Sequence, residues 1–232
     1  MIPAAAFDFL RRLAANNEKA WFEANRATYE SAVRNPVAAL VASVTAELTK
    51  RSVPLEGDPK RSMFRLHRDT RFSNDKSPYK TSVGVVWFRQ GHSKGSPGVL
   101  YFHLDPAGCF VAAAFWHPEP DVLDSIRERI RVRPDRYAAM LAALSEAGLA
   151  LEEGERLSRM PKGFEDLKGT AIDPALRLKN FIVRRPLSGE VVERKALAPK
   201  IAEFGAQALP LLRFGWDAVD EISSASPLGQ GS

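Results

Sequence analysis

Between Arg65 and Lys80 the chain reads Arg-Leu-His-Arg-Asp-Thr-Arg-Phe-Ser-Asn-Asp-Lys-Ser-Pro-Tyr-Lys. Arg65, Arg68, Arg71, Lys76 and Lys80 stand there against Asp69 and Asp75. Guanidinium forks suit two-pronged binding of phosphate or carboxylate. Ser73 and Asn74 suit a turn that presents backbone N–H groups. A strand ending in such a loop makes an anion site of Arg68, Arg71, Ser73, Lys76, Tyr79 and Lys80. The same residues support a structural reading, in which Arg68, Asp69, Arg71 and Asp75 pair with one another and pin the loop to a sheet. For catalysis, Tyr79 or His67 would be the general acid or base and Asp69 its orienter. For nucleic acid, the basic stretch would hold phosphates while Phe72 or Tyr79 stacks on bases.

Other reactive residues offer less. His67 and Asp69 are two apart on an expected strand, as are His103 and Asp105, so each pair faces one way. Together they would hold a metal only if the strands paired with those faces matched, and the expectation is no metal and no cofactor. Cys109 sits in an apolar run and is read as packed rather than nucleophilic. His92 and His117 are read as solvated. The chain has no Walker loop, dinucleotide glycine fingerprint, zinc spacing or nucleophile elbow.

The elements that must position these residues follow from periodicity. Phe7 to Ala15 is a short amphipathic helix, and Asn16-Asn17 ends it and caps the next. Trp21, Asn25 and Tyr29 recur every four residues and share a helical face. Asn35 reads as an N-cap with Pro36 in the first turn of a helix carrying Val37, Leu40, Val41, Val44 and Leu48 inward. Pro54 to Pro59 is turn-rich. Strands are expected at Ser62–Arg68, Thr81–Arg89, Val99–Leu104 and Cys109–Trp116, with Gln90–Gly98 as a loop and Asp105–Gly108 as a hairpin turn. Lying close in sequence with no helix between them, they predict an antiparallel meander. Helices follow: one with Val122, Leu123, Ile126 and Ile130 on a face, then one with Tyr137, Met140, Leu141 and Leu144 inward. Gly154 to Pro174 is read as an irregular loop and Phe181–Val183 as a short strand. Glu190 to Asp220 is read as mostly helical, interrupted near Pro199 and Pro210.

The stretch Arg68-Asp69-Thr70-Arg71-Phe72-Ser73-Asn74-Asp75-Lys76-Ser77-Pro78-Tyr79-Lys80-Thr81 resembles the signature of the bacterial domain-of-unknown-function family 2461. Asn17, Trp21, Phe22, Asn25 and Tyr29 are similar to that family's N-terminal helix. Leu157, Arg159, Pro161, Lys162, Gly163 and Phe164 are similar to a later segment, and Lys179, Phe181, Arg185, Pro186 and Leu187 to its ending. The resemblance spans residues 7–187 and implies no activity. It does place Arg71, Lys76, Lys80, Arg159, Lys162 and Arg185 in three matched segments, so a fold that gathers them would make one positive pocket, walled by Trp21, Asn25 and Tyr29.

The 232 residues are 45% hydrophobic and 26% charged, ordinary globular usage with length enough for a core that needs neither disulfide nor metal. A net charge of +5 favours phosphorylated small molecules or nucleic acid as partners. No apolar run is long enough to span a membrane. The start of the chain lacks signal-peptide character, and the single cysteine fits a reducing compartment, so the expected location is cytoplasmic. The expected fold is α+β. A mainly antiparallel sheet of about four to six strands packs against N-terminal and C-terminal helices, in one domain over 1–222 with a disordered tail over 223–232. The leading functional expectation is binding of a phosphorylated or carboxylated small molecule in a basic pocket. An enzyme acting on such a ligand and nucleic-acid binding through Arg65–Lys80 are the alternatives. Enzyme status and oligomeric state stay open.

Overall fold

The computed structural model describes residues 1–69, 71 and 74–225, the last four by backbone alone. The helices are α1 (Ala4–Ala15), α2 (Lys19–Ala24), α3 (Arg26–Tyr29), α4 (Asn35–Lys50), α5 (Pro120–Val132), α6 (Pro134–Glu146), α7 (Asp173–Leu176), α8 (Gly189–Val192), α9 (Leu197–Gln207) and α10 (Leu209–Ala225). The strands are β1 (Leu55–Glu56), β2 (Val83–Arg89), β3 (Val99–Leu104), β4 (Cys109–Phe115) and β5 (Phe181–Leu187). They form one five-stranded antiparallel sheet in the order β1-β2-β3-β4-β5, so the fold is α+β. Contacts gather the chain into two compact units. The first comprises 1–94, 100–112 and 185–206; the second comprises 95–99, 113–184 and 207 onward.

In the first unit the meander is built on register. Val85 pairs with Phe102 and Trp87 with Leu100 on one face, while Gly84 pairs with His103 and Val86 with Tyr101 on the other. The first face takes α4, whose Val37, Leu40, Val41, Val44 and Leu48 are all buried. The Trp87 indole N–H donates to the Val41 carbonyl at 3.3 Å and locks helix to sheet. The turn Asp105–Gly108 closes with Gly108 N–H on the Asp105 carbonyl at 3.0 Å.

Three local expectations are corrected. Asn17 does not cap α2: Glu18 holds the N-cap position, and the Asn17 amide grips the backbone of Tyr79 instead. Asn35 is helical (φ −65, ψ −45) rather than a cap, because the π-helical turn Glu30–Arg34 carries the chain straight into α4. Wider hydrogen-bond spacing there accommodates Pro36, which has no N–H to offer the preceding turn and whose ring crowds it. Ser62–Arg68 is not a continuous strand. It meets β2 by an isolated bridge, Met63 to Val85, then leaves the ladder and pairs with its own continuation, His67 to Tyr79. Arg68 N–H donates to the Pro78 carbonyl at 2.9 Å and Lys80 N–H to that of Leu66 at 2.8 Å, closing the loop between them. The paired segment in the turn-rich stretch is β1, antiparallel to the end of β2.

In the second unit α5, α6 and α10 pack together. Ile126 and Ile130 are buried as their spacing requires, but so are Arg127 and Arg129. Arg127 is satisfied by the Leu176 and Leu178 carbonyls at 2.8 and 3.2 Å. Leu141 is 36% exposed, not inward, because Tyr137, Met140 and Leu144 already fill the buried face of α6. Gly215 is where α10 crosses Phe115, since a β-carbon there would lie 2.2 Å from the ring. Residues 154–174 are irregular but for an isolated bridge of Arg156 to Leu178, a 3-10 turn at Glu165–Leu167 and the start of α7. Strand β5 runs four residues beyond the expected Val183. Residues 223–225, expected in the tail, belong to α10.

Candidate functional site

The conspicuous loop is internally paired. Arg71 forks Asp69, with Nε–Oδ1 at 3.0 Å and a second N–Oδ2 bond at 2.7 Å. Arg68 pairs with Asp75. Asp75 also accepts from the Ser77 hydroxyl at 2.6 Å and the Ser77 N–H at 2.9 Å. These Ser77 bonds, with Arg68, hold the Asp75 carboxyl below its usual range, and Arg71 does the same for Asp69. Both carboxylates therefore stay ionised and engaged, which is the structural reading of this stretch. Lys76 and Lys80 are exposed, and Ser73, with Thr70 and Phe72, lies outside the described residues.

Tyr79 belongs to the core. It is 1% exposed, stacks on Phe22 at 4.3 Å between centroids and touches His67 at 4.8 Å. Burial pushes its hydroxyl above the usual tyrosine range. Its ring has no face left for a ligand. His67 and Asp69, expected as acid/base and orienter, have separate partners: His67 lies against Tyr79 and Phe22, Asp69 against Arg71. Among the expected wall residues, Trp21 lies half-buried on Phe9 beneath Arg12, and Asn25 accepts from Arg12 at 3.2 Å. Tyr29 is buried against Phe22. Arg185, in the first unit, stacks on Phe204 at 5.5 Å. Arg159 and Lys162 belong to the second unit and are exposed. The neighbouring Gly163 N–H is taken by Glu165 at 2.8 Å.

A different cluster emerges on the face of the meander away from α4. Tyr101, His103 and Asp105 follow one another at strand spacing on β3 and the turn beyond it. Tyr101 Oη lies 3.0 Å from His103 Nδ1, and His103 Nε2 lies 3.6 Å from Asp105 Oδ2. The Asp105 carboxylate is steadied by the Ala107 N–H at 2.8 Å. Phe110 from β4 stacks on His103 at 4.8 Å, and Phe64 closes on Tyr101 at 6.4 Å. Gly84 makes room for this arrangement, because a β-carbon there would sit 2.7 Å from Tyr101 Oη. Lys94 reaches in from the Gly/Ser loop. Its ammonium donates to the Met63 carbonyl at 2.8 Å and lies 4.1 Å above the Phe64 ring. Burial and the nearby Lys80 lower the Lys94 pKa, and burial raises that of Tyr101.

The sequence signal for this cluster is Tyr-x-His-x-Asp at period two, in which spacing alone offers His103 and Asp105 as a metal-binding pair and leaves Tyr101 without a role. Among the described residues no group of three or more His, Cys, Asp or Glu is placed to hold a metal. What the face offers is ammonium charge, an aromatic floor and a hydroxyl coupled to an imidazole.

The antiparallel sheet and its helices define an α+β protein. The chain belongs to the family DUF2461, described as a conserved hypothetical protein, whose model matches residues 5–214. No curated protein and no solved structure matches it.

Proposed function

We propose that the protein binds a phosphorylated or carboxylated small molecule on the open sheet face beside Lys80 and Lys94. One observation carries this reading: Lys94 is half-buried and rests on the Met63 carbonyl and the Phe64 ring face, with no carboxylate partner among the described residues. An ammonium drawn out of water and pushed by a second lysine is stabilised by any anion that joins it. By contrast, Arg68 and Arg71 already have carboxylates. Their pairing makes them weaker candidates than Lys94 for gripping the ligand. Soluble, cytoplasmic life in a bacterium fits a chain with a lone cysteine and, among the described residues, no helix able to cross a membrane.

Thermal shift against phosphate esters, carboxylates and short oligonucleotides tests the proposal. Ligand at 100 times its dissociation constant stabilises by about 2.7 kcal/mol, roughly 5–10 °C for a chain of this size. Lys94→Met should abolish the shift from a small anion. A shift lost instead in Arg71→Ala moves the ligand to the loop. A response to oligonucleotides alone, falling steeply with salt, replaces the small molecule with nucleic acid.

A further inference from the structure

We propose that Tyr101 and His103 complete this anion site as a proton-coupled pair. When His103 is protonated, the Tyr101 hydroxyl turns outward and donates to the anion beside Lys94. The inference rests on the anion-binding reading above and adds residues that control it.

A tyrosine hydroxyl has one proton, and a neutral imidazole has one donor and one acceptor nitrogen. His103 Nε2 lies 3.6 Å from the Asp105 carboxylate, beyond hydrogen-bond reach but close enough for its charge to favour the neutral tautomer with the proton on Nε2, which leaves Nδ1 as acceptor. Tyr101 then donates to Nδ1 across 3.0 Å, and its oxygen presents only lone pairs to the open face. Lone pairs repel an anion. A second proton on the ring makes Nδ1 a donor, the Tyr101 oxygen accepts, and the hydroxyl proton swings free toward Phe64 and Lys94.

The surroundings fit this exchange. Burial keeps Tyr101 protonated, so the hydroxyl always has a proton to redirect. Opposite His103, β2 presents Gly84 and β4 presents Phe110. The charged group described against it is Asp105 on its own chain segment, while Lys94 lies over Phe64, the ring that closes on Tyr101, with Lys80 near enough to lower the Lys94 pKa. Asp105 favours the protonated ring. An arriving anion favours it too, so proton and anion bind together.

Sulfate is the probe, since it stays a dianion near neutrality. Followed by NMR from about pH 6 to about pH 8, where imidazoles titrate, its binding should weaken as pH rises. The loss should approach about tenfold per pH unit once protonated His103 is the minor form. His103 ring signals, assigned with His103→Gln, should report proton uptake on binding. His103→Gln should flatten the pH dependence, and Tyr101→Phe should weaken binding most at the acid end. A pH dependence that survives in His103→Gln overturns the proposal and assigns the titration to Lys94. Flat binding that Lys94→Met abolishes overturns the coupling and leaves the anion site standing. Absence of sulfate binding at every pH overturns both.

Discussion

The side chain of Asn17 stands in for a strand partner of Tyr79, donating to its carbonyl at 2.9 Å and accepting from its N–H at 3.1 Å. A residue between two helices thereby ties down the end of the basic loop, 62 positions away. Removing the amide leaves two backbone groups of a buried residue without partners. Asn17→Ala should destabilise by about 2 kcal/mol, the cost of orphaned buried polar groups. Asn17→Asp should cost about as much, since it keeps the acceptor but sets a carboxylate against the Tyr79 carbonyl. Urea unfolding midpoints check both. A change below roughly 0.5 kcal/mol would show that the Phe22–Tyr79 stack holds the loop alone.

Two glycines separate a functional close approach from a structural one. Gly84→Ala would press on Tyr101, which is half-exposed and able to move. Gly215→Ala would press on Phe115, which is buried and cannot. Overpacking typically costs about 1–3 kcal/mol. Gly215→Ala should therefore fall at or above the top of that range and Gly84→Ala near the bottom, while only Gly84→Ala should weaken anion binding. Equal melting temperatures for the two variants would contradict the assignment.

Arg129 is 3% exposed, lies over Phe214 and pairs with Asp217 and Glu221 of α10, which are 53% and 63% exposed. Its Nε has no hydrogen-bond partner among the described residues. The buried cation depends on two carboxylates that reach water. Asp217→Asn with Glu221→Gln would leave it uncompensated, and such a loss costs about 3–5 kcal/mol. Arg129→Met should be milder, because it removes the charge along with its partners' task. Calorimetric melting of the two variants gives the order, and the reverse order would refute it.

All four tyrosines are held above their ordinary pKa by burial, Tyr137 to about 12. A raised folded-state pKa means the native state holds the proton more tightly than the unfolded chain. The contribution is whole below the unfolded value near 10 and is lost as pH rises toward 12. For Tyr137 alone the difference is roughly 3 kcal/mol. Tyrosinate absorbance should stay low in the native protein at pH 10 and rise together with unfolding. Tyr137→Phe should blunt the alkaline loss of stability. Ordinary ionisation of all four at pH 10 in folded protein would contradict this.

Periodicity and turn chemistry are properties of a few neighbouring residues. They were enough for the α4 stripe of Val37 to Leu48, the meander of β2 to β4 and its Asp105–Gly108 turn, and the Pro199 and Pro210 interruptions. Membership of the family was equally legible, because it rests on residue order. The basic loop was also visible, and so was the option that its arginines pair internally. What sequence left open was which option holds, since Arg71 can fork Asp69 or a ligand with the same geometry. In the folded chain both arginines lie on carboxylates: Asp69 is two residues from Arg71, and closure of the loop through Leu66–Lys80 and Arg68–Pro78 brings Asp75 to Arg68. The same holds for the candidate face. Tyr101 and His103 come from one strand, Phe64 from a segment that breaks away from β2, and Lys94 from a Gly/Ser loop. Only the register that sets Gly84 opposite His103 brings them together: the alternation along each strand fixes which face a residue takes, and the pairing across strands fixes which residues meet there.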